Sequence, residues 1–279
     1  MSEFGEWIGR VSSSVERVDR WPMLALAAAL DSETAPADTD DILPLAHWLC
    51  FPPATRQSQM GPDGHPRRGD FLPPLPQPRR MWAGSEIRFL APIAIGDTLR
   101  KTSRIADIAE KAGKTGNLIF VTVAHEFERD GKTLLTETQN LVYRDDPAPG
   151  ETAPPPKPAP AKADWSERHA PDPVLLFRYS AVTFNAHRIH YDEPYARTVE
   201  GYPGIIVHGQ LTATLMLRAF QKHNPGLRPT AFSFRAVKPL FSGAPFFVEG
   251  AAGDEADSFK LWARNEAGDL SMTADLKVA

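Results

Sequence analysis

The strongest pattern in the chain is a series of alternating or β-branched apolar runs at 99–108, 118–128 and 133–143, separated by Lys111-Ala112-Gly113 and Arg129-Asp130-Gly131-Lys132. Period-two alternation broken by glycine-containing turns predicts an antiparallel meander. A second series at 245–250, 259–265 and 271–278, with Glu266-Ala267-Gly268-Asp269 as its last turn, predicts the same strand order near the C-terminus. Ahead of each series lies one helical segment. The first is 22–30; the second is 209–222, where Leu211, Leu215 and Arg218, or Met216 and Phe220, recur at helical spacing. One helix followed by a meander, twice over, predicts an α+β protein in which each sheet curls around its helix.

A weak internal repeat supports this doubling. Ile87-Arg88-Phe89-Leu90-Ala91-Pro92-Ile93-Ala94-Ile95-Gly96 and Phe234-Arg235-Ala236-Val237-Lys238-Pro239-Leu240-Phe241-Ser242-Gly243 match at arginine, proline and glycine, with Pro92 and Pro239 147 positions apart. Each reads as a strand broken by proline and closed by a glycine turn, the form of an edge or bent strand. The run 146–164 holds prolines and almost no large apolar residue, so it reads as a linker between an N-terminal domain, 1–145, and a C-terminal domain, 165–279. A second proline-rich stretch, 61–80, is expected to be a long surface loop.

Composition narrows the function classes. A net charge of −4 gives no global basic field for nucleic acid or an anionic membrane, so an anionic ligand must meet a local basic patch. The single cysteine, Cys50, cannot form an internal disulfide and is expected to be a buried, inert thiol in a reducing interior. The early run 22–30 is well short of the ~20 residues of a membrane span, and Glu3 and Glu6 do not suit a targeting presequence. A soluble, cytoplasmic protein is the expectation.

The chemistry concentrates in 177–196, where a strand-like run leads into Asn185, His187, His190, Tyr191 and Asp192, with a short helix expected to start near Asp192. Taken alone, this could be a histidine-rich surface turn. His187 and His190 could also share one face of a helical turn as metal ligands, but no carboxylate or cysteine partner stands at a standard spacing, so no metal is expected.

The stretch TFNAHRIHYD, followed by YARTVEGYPGIIVHGQLTATL, resembles the MaoC-like or R-specific enoyl-thioester hydratase family. His190 matches that family's catalytic histidine, Asp192 the acid after it, and His208-Gly209 its downstream pair; Asn185 stands where the usual aspartate does. The asparagine and the loop at 61–89 resemble the branch with 3-hydroxyacyl-thioester dehydratases, mesaconyl-C4-CoA hydratases and itaconyl-CoA hydratases. The resemblance implies a double hot-dog fold, catalysis in the C-terminal half only, and a homodimer acting on an acyl-CoA or acyl-carrier thioester without metal or redox cofactor. Hydrating an enoyl thioester requires a base for water, a proton for Cα and donors for the enolate-like oxygen. His190 is the expected base, handling the proton in both directions, and Asn185, which cannot titrate, the group that positions the water.

Gly209 is a candidate oxyanion donor at the start of its helix, or else a residue that lets that helix pack closely. His208 is expected to support the site, and His187 to pair with Asp192 or cap the turn. Arg67, Arg68, Arg79 and Arg80 are candidates for coenzyme phosphates, or are solvated loop charges; Arg235 and Lys238 could reach the thioester tail or a substrate carboxylate. The same fold could instead carry a thioesterase or a non-catalytic acyl-CoA-binding module.

Overall fold

The repeat is built into the register of a ten-stranded antiparallel sheet. The structure, a computed structural model, describes residues 4–113, 116–146 and 155–279. Its elements are β1 (Val11–Arg17), α1 (Arg20–Ala29), β2 (Arg79–Phe89), β3 (Thr98–Gly113), β4 (Gly116–Arg129), β5 (Lys132–Arg144), β6 (Trp165–His169), α2 (Pro173–Thr183), α3 (Glu193–Thr198), α4 (Gly209–His223), β7 (Pro229–Ala236), β8 (Phe246–Ala252), β9 (Ser258–Asn265) and β10 (Leu270–Val278). The strand order is β1-β3-β4-β5-β2-β7-β10-β9-β8-β6. Each half therefore lays down the same five-strand order, and the two orders meet head to head at β2 and β7. Across that seam Ile87 faces Phe232 and Ser85 faces Phe234. Phe234 is the repeat partner of Ile87, so one pairing is the image of the other under a pseudo-twofold axis.

This placement corrects the edge-strand expectation for the repeat. β2 and β7 occupy the middle of the sheet. Pro92 and Pro239 are tolerated because each lies beyond the end of its strand, and the closing Gly96 and Gly243 turn with φ of +94° and +79°. The predicted hairpin at Asp130-Gly131 forms with both residues at positive φ, as a tight two-residue turn between twisted strands requires.

The halves differ in their helices. α4 is buried along most of its length, from Leu211 to Phe220, and packs against β8 and β9. The repeat offset carries α4 onto the proline-rich loop, where prolines forbid a helix. The first half is left with the short α1, which packs on α2. The loop is not only a surface feature: Leu75 and Gln77 are buried, and Leu75 joins Ile105, Ile108, Ile119, Val121, Val123 and Tyr143 in a second apolar cluster. The larger core draws on both halves, including Leu26, Leu45, Leu99, Phe127, Leu211, Met216, Phe220 and Phe232.

The strand-like run at 177–184 is instead most of α2. Asp172 caps its start by accepting the Leu175 N–H at 2.8 Å, and Pro173 occupies the first turn; this cap outweighs the β-branched and aromatic content of the run. In the linker, residues 147–154 lie outside the described residues. Further on, the Lys157 carbonyl accepts from Leu270 N–H and Ala159 N–H donates to the Gly268 carbonyl, which docks that part on the β9–β10 turn.

Candidate active site

A cavity of about 2690 Å³ runs between the halves and is lined by Asn185, His187, His190, His208 and Gly209 from the second and by the 53–82 region, Lys101, His125 and Glu137 from the first. The segment that carries the histidines is set by the end of α2. Phe184 takes a left-handed conformation, φ +50°, and turns the chain so that Asn185 N–H reaches back to the Ser180 carbonyl at 2.8 Å. Asn185 Oδ1 then accepts the His187 N–H at 3.0 Å, an Asx turn. The Asn185 carbonyl is thus occupied by backbone, and its amide nitrogen is the group left for a ligand.

His190 Nδ1 lies 2.8 Å from the Ile206 carbonyl. A carbonyl only accepts, so Nδ1 carries the proton and Nε2 keeps a free lone pair. Burial pulls the His190 pKa down to about 4 against the help of the Ile206 bond, and His65 lowers it further, so the ring is neutral near pH 7. Its face stacks on His208 with centroids 3.7 Å apart. His208 is anchored in turn by Ser180 Oγ at 2.8 Å from its Nε2, and burial keeps it uncharged as well. His208 therefore fixes the ring plane of His190.

His187 does not pair with Asp192. Asp192 Oδ1 caps α3 by accepting the Tyr195 N–H at 3.0 Å, and Oδ2 is taken by Arg188 at 2.7 Å. His187 instead meets the proline-rich loop: its ring lies 4.0 Å from that of His65 and 5.6 Å from that of His190. His65 is held by Asp63, which accepts its backbone N–H at 3.0 Å and its Nδ1–H at 2.9 Å. Asp63 also accepts the Arg188 N–H through its backbone carbonyl at 2.9 Å. The loop is thereby pinned to the segment that carries His187 and His190. Asp63, His65 and His187 offer ligand atoms within 4.8 Å of one another, the metal-compatible spacing that the sequence did not reveal. Both Asp63 oxygens already accept from His65, however, and the charge of Arg80 acts on both imidazoles. A neighbouring guanidinium disfavours a cation there.

Gly209 opens α4, whose cap His208 makes no side-chain cap bond, so the first amides of the helix remain unfilled by a side chain. A Cβ on Gly209 would meet nothing closer than Met272 Cε at 3.8 Å, an ordinary contact. Close packing therefore does not account for this glycine.

A sequence profile of the hydroxyacyl-thioester dehydratase type 2 family matches residues 45–242. The chain belongs to the hydroxyacyl-thioester dehydratase type 2 family. It is 42% identical to a mesaconyl-C(4)-CoA hydratase of Chloroflexus aurantiacus over 98% of this chain and 96% of that one. It is 26% identical to the mitochondrial hydroxyacyl-thioester dehydratase type 2 of Schizosaccharomyces pombe, over 77% of this chain and 79% of that one. Among solved structures, a MaoC-like dehydratase from Phytophthora capsici superposes with a TM-score of 0.73 at 15% identity, covering 97% and 96% of the two chains. A Mycobacterium tuberculosis protein described as a double hotdog fold gives 0.58 at 13%, covering 97% and 96%. The double hot-dog expectation for this dehydratase-family chain is thus met.

The arginines of this family member divide sharply. Arg68 donates to the carbonyls of Leu75, Gln77 and Pro78, and Arg79 reaches Asp146 and the Glu200 carbonyl. Arg68 thus holds the loop and Arg79 ties the start of β2 to Asp146 and Glu200, so both are engaged by protein oxygens and not available to phosphate. Lys238 is paired with Asp269 at 3.0 Å. Arg67 and Arg235 are exposed on the cavity wall, Arg67 with its Nε on the Met60 carbonyl. Arg80 lines the cavity, and no carboxylate is paired with it among the described residues.

The dehydratase-family chain also carries a buried polar cluster in its first half that sequence reading missed. Glu137 accepts from Ser85 Oγ at 2.8 Å, Trp48 Nε1 at 3.1 Å and His47 Nε2 at 3.1 Å. Burial opposes its charge, yet the bond and charge of His47, with His125 and Ser85, bring its pKa down to about 2. The available signal was Glu137 itself, two positions after Leu135 on the core-facing side of β5. Cys50 is buried as expected, and burial raises its thiol to about 12, which rules out a thiolate nucleophile near neutral pH. No helix among the described residues is long and apolar enough to cross a membrane.

Proposed function

We propose that the chain hydrates an enoyl-CoA thioester reversibly to the 3-hydroxyacyl-CoA, with catalysis in residues 165–279 and residues 1–145 shaping the cleft. The observation that carries this is His190, whose Nδ1 is committed to Ile206 and whose neutral Nε2 is free in the cavity shared with Asn185 and Gly209. In the forward direction Nε2 takes a proton from a water that the Asn185 amide holds, and the water oxygen bonds to Cβ. The double-bond electrons move into the thioester, where the N–H of Gly209 meets the charge on the oxygen. The imidazolium of His190 then delivers its proton to Cα, which restores the neutral ring. Each step uses a group of the chain itself.

A dicarboxylic five-carbon acyl group is the substrate class supported by the mesaconyl-C(4)-CoA hydratase relative. The test is to follow the conjugated enoyl absorbance and free thiol together in one assay. Absorbance lost without thiol release, with 3-hydroxyacyl-CoA found by mass, is the expected result. Thiol release would assign a thioesterase, and binding without turnover a carrier module.

A further inference from the structure

We infer that Arg80 is the group that recognises the free carboxylate of a dicarboxylic acyl substrate, an assignment that rests on the hydratase reading above. When a dicarboxylic enoyl thioester has its second carboxylate on Cβ, as mesaconyl-C(4)-CoA does, that carboxylate lies one bond from the carbon that water attacks. Its counter-ion must therefore stand beside His190 and not at the cavity mouth, where the coenzyme phosphates leave.

Arg80 is the cavity cation whose charge reaches both His65 and His187, the rings next to His190 in this corner. It stands second in β2, opposite Tyr143 on β5, and lines the same cavity as Asn185 and His190. The other cations around the cavity are differently placed: Arg68, Arg79 and Lys238 are engaged by protein oxygens, and Arg67 and Arg235 are exposed. Lys101 lies over Phe51 and Phe127 on the first-half wall and acts electrostatically with Glu137. The histidines cannot substitute, since burial keeps His187 and His190 neutral. Asp63, the acid in this corner, has both oxygens occupied by His65. Arg80, with the Tyr143 phenol beside it and no carboxylate partner among the described residues, offers a planar fork that suits two carboxylate oxygens.

The experiment compares kcat/KM of the full chain and its R80Q and R80K variants on mesaconyl-C(4)-CoA, which bears a carboxylate on Cβ, and on crotonyl-CoA, which bears only a methyl there. R80Q should lower the ratio of the dicarboxylic to the monocarboxylic substrate by about 10²-fold, mainly through KM. R80K, which keeps the charge but loses the fork, should lower it by less, and it supplies the reading if R80Q does not fold. Equal losses on both substrates, or an unchanged ratio, would overturn the assignment. So would a wild-type chain that hydrates crotonyl-CoA but not the dicarboxylate. A wild-type chain that hydrates neither would sink the hydratase reading itself.

Discussion

Gly64 of the proline-rich loop lies against Ala186, between Asn185 and His187, so closely that a Cβ on the glycine would fall 1.8 Å from the Ala186 carbonyl oxygen. The glycine also has φ of +88°, a conformation that side chains rarely adopt. Gly64→Ala must therefore push the loop off residues 186–188, releasing His65 from His187. We expect a loss of about 1–3 kcal/mol in stability and a fall in kcat/KM larger than that from an alanine at Gly131, whose added Cβ meets nothing within 4 Å. Thermal unfolding and steady-state rates on both variants provide the check.

His190 stays neutral because burial lowers its pKa to about 4, so the base form is present well below the usual histidine range. The acid limb of kcat/KM should fall near pH 4 to 5, not near 6.5, and His190→Ala should lose about 10²-fold or more at every pH. The sign for stability follows. The unfolded ring binds a proton near 6.5 and the folded one only near 4, so this group favours unfolding progressively as the pH falls through that window. A limb at 6.5 in the pH-rate profile would mean that another group supplies the base.

Asn185 offers its amide because its carbonyl is held by the His187 N–H. Asn185→Asp keeps that acceptor and places a negative charge near His190. Protonated imidazole gains from the charge, so the acid limb should move upward in pH relative to wild type. Asn185→Ala removes the amide proposed to hold the water and should reduce turnover without that shift. Identical limbs in wild type and Asn185→Asp would show that the two side chains do not share one water.

Much of the fold was readable because its signals are local. The two meanders, the Asp130-Gly131 hairpin and the cap at Asp192 each follow from a few adjacent residues. The edge strands β1 and β6 went unread: β1 is exposed throughout and lacks a buried face to impose alternation, and β6 is only five residues long. At the site, Asn185 and His190 stand together in the sequence. His65 and Asp63 do not, since they reach His187 only when the first half folds over the second. Nothing in GPDGHPRR distinguishes an ordinary turn from one pressed onto another chain segment.

Glu137 links the first-half wall to acid stability. Its carboxylate has a pKa of about 2 in the fold, below its ordinary 4.5, because His47, His125 and Ser85 overcome its burial. The folded form thus holds the charge where the unfolded chain has begun to protonate. That contribution is complete above about 4.5 and is lost as the pH falls toward 2. Glu137→Gln removes the charge but keeps the shape, leaving His47 and Trp48 with a weaker acceptor. We expect it to cost about 1–3 kcal/mol near pH 7 and to flatten the acid slope, so that the two proteins converge as the pH approaches 2. Urea unfolding at a series of pH values measures this directly; a constant difference down to pH 2 would show that the ion pair with His47 contributes nothing and that packing alone holds this wall.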